Sequence, residues 1–387
     1  MSFSQTHGRH MWMLVAGFLL LTLMGSPNPT PAQAHVASGS DTPDLAVKTG
    51  GASAYLPVFA RPEAPQSGNM WVSPEQLATL PTFGPAWENL FDAAQENTSS
   101  PDLSDQNDKT NVYVLAKALV YARTGNGAYR EQVMEALRAV IGTEDGSRTL
   151  AAGRNLPAFV IAADLIDLSF TPGIDAEFRA WLHSLLSANL DGDTLRSTHE
   201  SRANNWGTHA GAARAAIAIY LGDQNELART AQVFRGFVGD RDSYAGFSFG
   251  DLWWQCDPLN PVPINPAGCT VQGHSVDGLM PDEQRRAGPF QWPPPRENYV
   301  WGGLQGAVVQ AQLLHRAGYP AWEWEDSALL RTVTWLHEQA NYPAEGDDEW
   351  QPWLINAVYD TEFPAEMPAG VGKNVAWTDW AAPALAP

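Results

Sequence analysis

Positive charge is scarce in this chain. Its 387 residues include 23 lysines and arginines against 43 aspartates and glutamates, a formal net charge of −20. Only four of the cations are lysines: Lys48, Lys109, Lys117 and Lys373. A protein of that sign is not expected to bind nucleic acid or an anionic membrane. Any anionic substrate would have to be met by a local cluster built mostly from arginine. Cysteine is nearly absent, with only Cys256 and Cys269. Neither has the neighbouring cysteine or paired histidines of a zinc site, so no metal and no cofactor are expected. Heptads are missing, which argues against a coiled coil. No convincing run of alternating strand residues occurs. The one long apolar run, residues 11–24, is shorter than the roughly 20 residues of a membrane span.

That run follows a weakly basic start (His7, Arg9, His10). Prolines and the small-x-small triplet Ala32-Gln33-Ala34 come after it. The pattern predicts a secretory signal peptide over residues 1–34, hence a secreted or periplasmic protein. Its removal would make the chain one charge more negative. In an exported chain Cys256 and Cys269 are expected to pair and close a short loop. Residues 35–68, rich in Ala, Ser, Gly, Pro and Asp, read as a linker. Residues 69–387 are left as one domain.

Within that domain the apolar spacing is helical. Ser73-Pro74-Glu75 reads as an N-cap followed by proline, starting a helical region to about residue 95. Further helices are predicted at 111–123, 129–141, 156–168, a segment capped by Asp175, 205–221, 225–238, 299–316 and 325–340. Gly125, Gly173 and Gly222 punctuate them at spacings of 48 and 49 residues. A period in the forties with two helices per unit points to stacked or ring-closed helical hairpins. The expected fold is all-α: an (α/α) toroid of about six hairpins, an incomplete ring. Residues 240–298 break the period and are expected to be a long functional loop region. Eleven of the 16 tryptophans follow residue 250. The Trp- and Pro-rich end, 341–387, is expected to lie extended across the surface.

The stretch with most chemistry is Arg202-Ala203-Asn204-Asn205-Trp206-Gly207-Thr208-His209. Two amides open a helix, and His209 lies one turn beyond Asn205 on the same face. Small residues follow, so neighbouring backbones can approach closely. One amide can simply be the N-cap, and the histidine can be a satisfied core group. The same residues can also bind a carboxylate, helped by free N–H groups at the helix start. A second constellation is Arg296-Glu297-Asn298-Tyr299. Arg296 and Tyr299, three apart, can share a face. An arginine there would lower the phenol's pKa from about 10 and suit it to carry protons. Arg202, His199, Trp206 and Trp254 are candidate substrate contacts, the tryptophans by stacking on sugar rings. Arg285 and Arg286 are further candidate cationic contacts, and Lys109 a residue at the mouth of the ring. His274, Asp277 and Asp282 are a weak candidate cation site.

An amide pair, a histidine, a tyrosine and arginines suit β-elimination on a uronic acid. Neutralising the carboxylate lowers the cost of removing the C5 proton. An acid then protonates the departing O4. In glucuronate and mannuronate the C5 hydrogen and O4 lie on one face, so a single tyrosine can do both jobs. The segment Asn204–His209, the Arg296–Tyr299 segment and the helical hairpins resemble the alginate-lyase-like polysaccharide lyases, over roughly residues 70–380. Relatives place histidine directly after the Asn pair. Here Trp206 stands there and His209 comes later, which resembles the glucuronan-lyase branch. The resemblance implies an α/α toroid that cleaves an anionic polyuronate such as glucuronan or alginate. It implies that Asn205 neutralises the carboxylate, with Asn204 beside it, that His209 and Tyr299 carry protons, and that Arg296 binds substrate. Two other readings stand beside it. A toroid glycoside hydrolase would need two catalytic carboxylates, for which Asp251, Asp257 and Glu297 are candidates. A non-catalytic secreted glycan-binding protein would use its aromatic surface.

Overall fold

The computed structural model describes residues 69–386, so the leader and linker expected over 1–68 lie outside the described residues. The fold is all-α. Four long helices form its inner layer: α3 (Thr110–Thr124), α5 (Thr149–Leu165), α8 (Asn205–Leu221) and α11 (Asn298–Arg316). Each is followed by a partner: α4 (Gly127–Val140), α6 (Pro172–Leu185), α9 (Gln224–Phe237) and α12 (Trp324–Glu338). The inner helices pack in order, α3 on α5, α5 on α8 and α8 on α11. Shorter helices complete the chain: α1 (Pro74–Thr79), α2 (Pro85–Ala93), α7 (Leu195–Ser201), α10 (Pro281–Gln284), α13 (Gln351–Tyr359) and α14 (Thr378–Leu385). Between α9 and α10 lies a two-stranded antiparallel hairpin, β1 (Thr270–Val271) with β2 (His274–Ser275).

The four hairpins cover only part of a circuit, and the C-terminal segment closes it. Gln305 of α11 donates to Asp348 at 2.6 Å, and Lys109, just before α3, pairs with Asp347 at 2.9 Å. Asn111 and Val112 of α3 bond to Asn374 and Trp377. Helix α14 packs on α13, α1 and α2. The tail is therefore core at α13 and over residues 374–385, while residues 360–370 remain at the surface. Trp350, Trp377 and Trp380 are buried, and the area they remove from water makes leaving that segment outside unfavourable.

Helix α8 is buried around its circumference, as a helix of small apolar residues should be. Glycines set how near its neighbours come. A Cβ on Gly306 of α11 would lie 2.5 Å from the His209 nitrogen, and one on Gly153 of α5 would lie 2.9 Å from the Ala210 nitrogen. The helix starts at Asn205 because Asn204 caps it: Trp206 N donates to Asn204 Oδ1 at 3.2 Å. It stops at Gly222, which is left-handed with φ 71°. Gly125 ends α3 in the same way, with φ 72°.

Three expectations are corrected here. Gly173 lies inside the first turn of α6 and ends nothing. Asp175 is not the cap of that helix. It sits in the first turn, where it pairs with Arg179 and accepts from Tyr220. Helix α5 begins seven residues before the expected start and carries Pro157 in its interior. An interior proline costs a helix about 3 kcal/mol. The complete burial of α5 outweighs it. Cys256 and Cys269 form a disulfide. No helix among the described residues is long and apolar enough to cross a membrane.

Candidate active site

The inner helices start at one end of the ring. Arg148, the residue before α5, holds its guanidinium 5.6 Å from the ring of Trp206 in the first turn of α8. Glu283 of α10 accepts from the backbone N–H of Asn205 and pairs at 2.9 Å with Arg286. Arg286 in turn lies 4.0 Å over the ring of Tyr299, in the first turn of α11. Lys109 joins the start of α3 to Asp347, three residues before the end of the turn that leads into α13. Helix N-termini carry unpaired N–H groups and partial positive charge, so this end of the ring favours an anion.

The cations of this acidic chain gather here. Lys109, Arg148, Arg154, Arg202, Arg286 and Lys373 all belong to the mouth or its floor. Most are matched by an acid: Lys109 and Lys373 by Asp347, Arg202 by Asp193 at 3.4 Å, Arg286 by Glu283. Exposed Arg148 and buried Arg154 form no such pair among the described residues, and Arg154 is the one removed from water. It is 9 % exposed, and its Nε has no hydrogen-bond partner among the described residues. Burial lowers its pKa, opposed by the charges of Asp348, Asp347 and Tyr299 nearby.

His209 lies beneath. It is fully buried, and burial, then the charge of Arg154, holds its pKa well below the ordinary value. Its Nδ1 faces Asn374 Nδ2 at 3.2 Å, an arrangement in which the amide donates and the imidazole proton sits on Nε2. The Gly302 backbone favours a proton on this ring. The neutral form is the one present at neutral pH. Asn205 is buried as well, with its Oδ1 unpartnered among the described residues. Tyr299, by contrast, is 41 % exposed.

Asp347 and Asp348 are adjacent and differ in state. Burial works to raise Asp347, but hydrogen bonds from Lys109 and Lys373 outweigh it and hold the carboxyl below its usual range. Asp348 accepts from Gln305 and Gln351, yet burial, with the neighbouring charge of Asp347, pushes it up to about 7. Its folded pKa lies above the roughly 4 of an unfolded aspartate. The sign follows: its contribution to stability is complete below about pH 4 and is lost as pH rises through about 7. Asp348→Asn is expected to flatten the fall in thermal midpoint between about pH 5 and about pH 8. A variant whose midpoint tracks the parent at every pH would show that Asp348 titrates normally.

Several expected contacts are placed elsewhere. Arg296 does not meet Tyr299. Its guanidinium lies 5.2 Å from the ring of Tyr342 and bonds to Glu345 and the Asn341 carbonyl, because residue 296 precedes the helix that carries Tyr299. His199 is interior, between Arg214 Nη1 at 3.4 Å and Gln310 at 3.1 Å, and burial followed by the Arg214 charge holds it neutral. Trp254 is fully buried, donates to the Gly288 carbonyl and packs on Phe290. Trp253 is the exposed ring of that pair. Arg202 and Trp206 do sit at the mouth, 5.9 Å apart. Asn204 caps α8 and donates to Asp282 at 3.0 Å.

The candidate cation group disperses: His274 stacks on Trp292, Asp277 pairs with Arg331 and Asp282 with Arg285. No cluster of three or more His, Cys, Asp or Glu placed to hold a metal ion occurs among the described residues. Of the candidate hydrolytic carboxylates, Glu297 is engaged as the cap of α11, and Asp257 holds Leu259 N and Asn260.

Residues missed by spacing are Arg154, Glu283, Asp347, Asp348 and Asn374. Only Arg154 had a readable signal, being a lone arginine in an otherwise apolar run.

No curated protein matches the chain. Residues 92–241 match the model of the alginate lyase family. That segment runs from the end of α2 through α9 and includes Asn204–His209; Tyr299 and Arg296 lie beyond it. Over that segment, less than half of the chain, the protein is similar to the alginate lyase family, which supports a polysaccharide lyase of the alginate-lyase type acting on an anionic polysaccharide.

Proposed function

We propose that the protein is a secreted lyase that cleaves β-1,4-linked polyuronates, glucuronan or mannuronan, by β-elimination at the ring mouth. The observation that carries this reading is the exposed phenol of Tyr299 under the Arg286 guanidinium, beside the helix starts and the unmatched cation Arg154. Arg154, the α8 start at Asn204–Asn205 and the other inner-helix N-termini neutralise the uronate carboxylate. Tyr299, as phenolate, takes the C5 proton. The C5–H electron pair forms the C4–C5 double bond as the C4–O4 bond breaks. The same phenol then returns its proton to O4, which leaves as a free hydroxyl. The Arg286 cation is placed to stabilise negative charge on the phenol during transfer. His209, sealed beneath and neutral, acts as the floor that positions Asn374 and the start of α8, so the proton carrier is the tyrosine. Arg202 and Trp206 offer a cation and a ring face to a neighbouring sugar.

The test is a panel of glucuronan, mannuronan, guluronan, pectate and hyaluronan followed by near-ultraviolet absorbance. Elimination creates a conjugated double bond, which hydrolysis does not. New reducing ends without that absorbance would replace the lyase with a hydrolase. Binding without any cleavage would replace it with a glycan-binding protein.

A further inference from the structure

We propose that Glu283 is a positioning residue of this site: it ties the start of α8 to the guanidinium of Arg286 and so holds that guanidinium over Tyr299. The inference rests on the lyase reading and adds a residue to it.

Glu283 is fully buried on a helix of four residues. One carboxylate oxygen accepts the Asn205 backbone N–H; the other lies 2.9 Å from Arg286 Nε as an ion pair without hydrogen-bond geometry. The same side chain lies against α11, since a Cβ on Gly303 would sit 3.2 Å from Glu283 Oε1. Gly303 is one helical turn beyond Tyr299, so glycine there leaves the room that the carboxylate occupies. Glu283 therefore touches the first turn of α8, the second turn of α11 and the cation between them.

A carboxylate removed from water is costly unless paired and hydrogen-bonded, and an apolar residue would pack a short α10 as well or better. Its neighbour shows what simple anchoring looks like. Asp282 binds Asn204 Nδ2, the Gly250 N–H and Arg285, which already fastens α10 to the start of α8. Glu283 repeats the attachment one residue on, and only its arginine reaches the phenol. Arg286 has a long side chain that is partly exposed, and this ion pair is what keeps it from turning into solvent. With the pair in place, the guanidinium carbon lies 4.0 Å from the ring centroid of Tyr299, and its charge faces both carboxylate and phenol.

The experiment is a double-mutant cycle on the full secreted chain, with kcat and KM measured on whichever polyuronate the wild type cleaves. Burial pushes Glu283 up to about 8 against the opposing Arg286 charge, so turnover is read at about pH 9, where the carboxylate is ionised; Glu283→Gln there keeps an oxygen for the Asn205 N–H and removes the charge. Arg286→Met removes the guanidinium. Each is expected to lower kcat about 10- to 100-fold with KM changed less than about 3-fold, and the double variant to be no slower than the slower single. Losses that multiply, or that fall on KM, overturn the role. If Glu283→Gln fails to fold, Arg286→Lys decides: it keeps the counter-charge but not the flat fork, so a kcat loss is expected and a wild-type kcat overturns the proposal. Wild-type turnover with multiplying losses sinks Glu283 alone. No unsaturated product from any polyuronate with wild type sinks the lyase reading and Glu283 with it.

Discussion

Tyr299→Phe is expected to lower turnover on the preferred polyuronate by about 10³-fold while the dissociation constant for an oligouronate changes less than about 3-fold. The size follows from the double duty given to one oxygen. In the proposed mechanism it removes the C5 proton and then protonates O4, so its deletion would take away base and acid together. Binding should survive, because the phenyl ring remains under Arg286 and the phenol oxygen touches the sugar at the reacting atoms only. The fold should survive as well, since the residue is 41 % exposed and its backbone N–H, not its hydroxyl, makes the cap contact with Glu297. Turnover and affinity measured on the same oligosaccharide check both halves. A variant that turns over like the wild type removes Tyr299 from the mechanism, and one that binds weakly but reacts normally makes it a binding residue.

Arg154→Met is expected to weaken oligouronate binding by about 10- to 100-fold, with a thermal midpoint at or above that of the wild type. The two effects separate because of how Arg154 is surrounded. Its charge is buried, forms no ion pair among the described residues and leaves Nε without a partner. Burial lowers its pKa, so holding the charge at neutral pH costs stability, and removing the charge relieves that cost. A bound carboxylate would supply the missing counter-charge, so the wild type should also gain more thermal stability from oligouronate than the variant does. A midpoint that drops by many degrees, with binding intact among the folded molecules, would make Arg154 a structural group of the ring.

Part of this site is already visible in the residue order. The amide pair, the small residues after it and the stop at Gly222 are local signals, and α8 runs from Asn205 to Leu221 as that pattern requires. A short-range rule also identifies Asn204 as one natural cap. Arg154 escaped because the helix was expected to start at residue 156, beside a proline, which prefers a first turn, and residue 154 was left outside the element. In the folded chain the burial of α5 overrides that preference, and the arginine becomes part of the inner wall. The pairing of Arg296 with Tyr299 failed for a similar reason. Spacing of three implies a shared face only inside one helix, and Glu297 caps the helix between them.

The sequence by itself determined the helical hairpins, their boundaries to within a turn in most cases, the disulfide pair and the acidic balance of the chain. Each is a matter of residues near one another along the backbone, or of totals. Tertiary structure alone decided that Arg286 rather than Arg296 covers Tyr299, that a tail rich in tryptophan closes the ring, and that His199 and Trp254 are interior. Those outcomes join residues far apart in the chain, and they depend on which faces the packed helices turn towards each other and towards water, which no local spacing encodes.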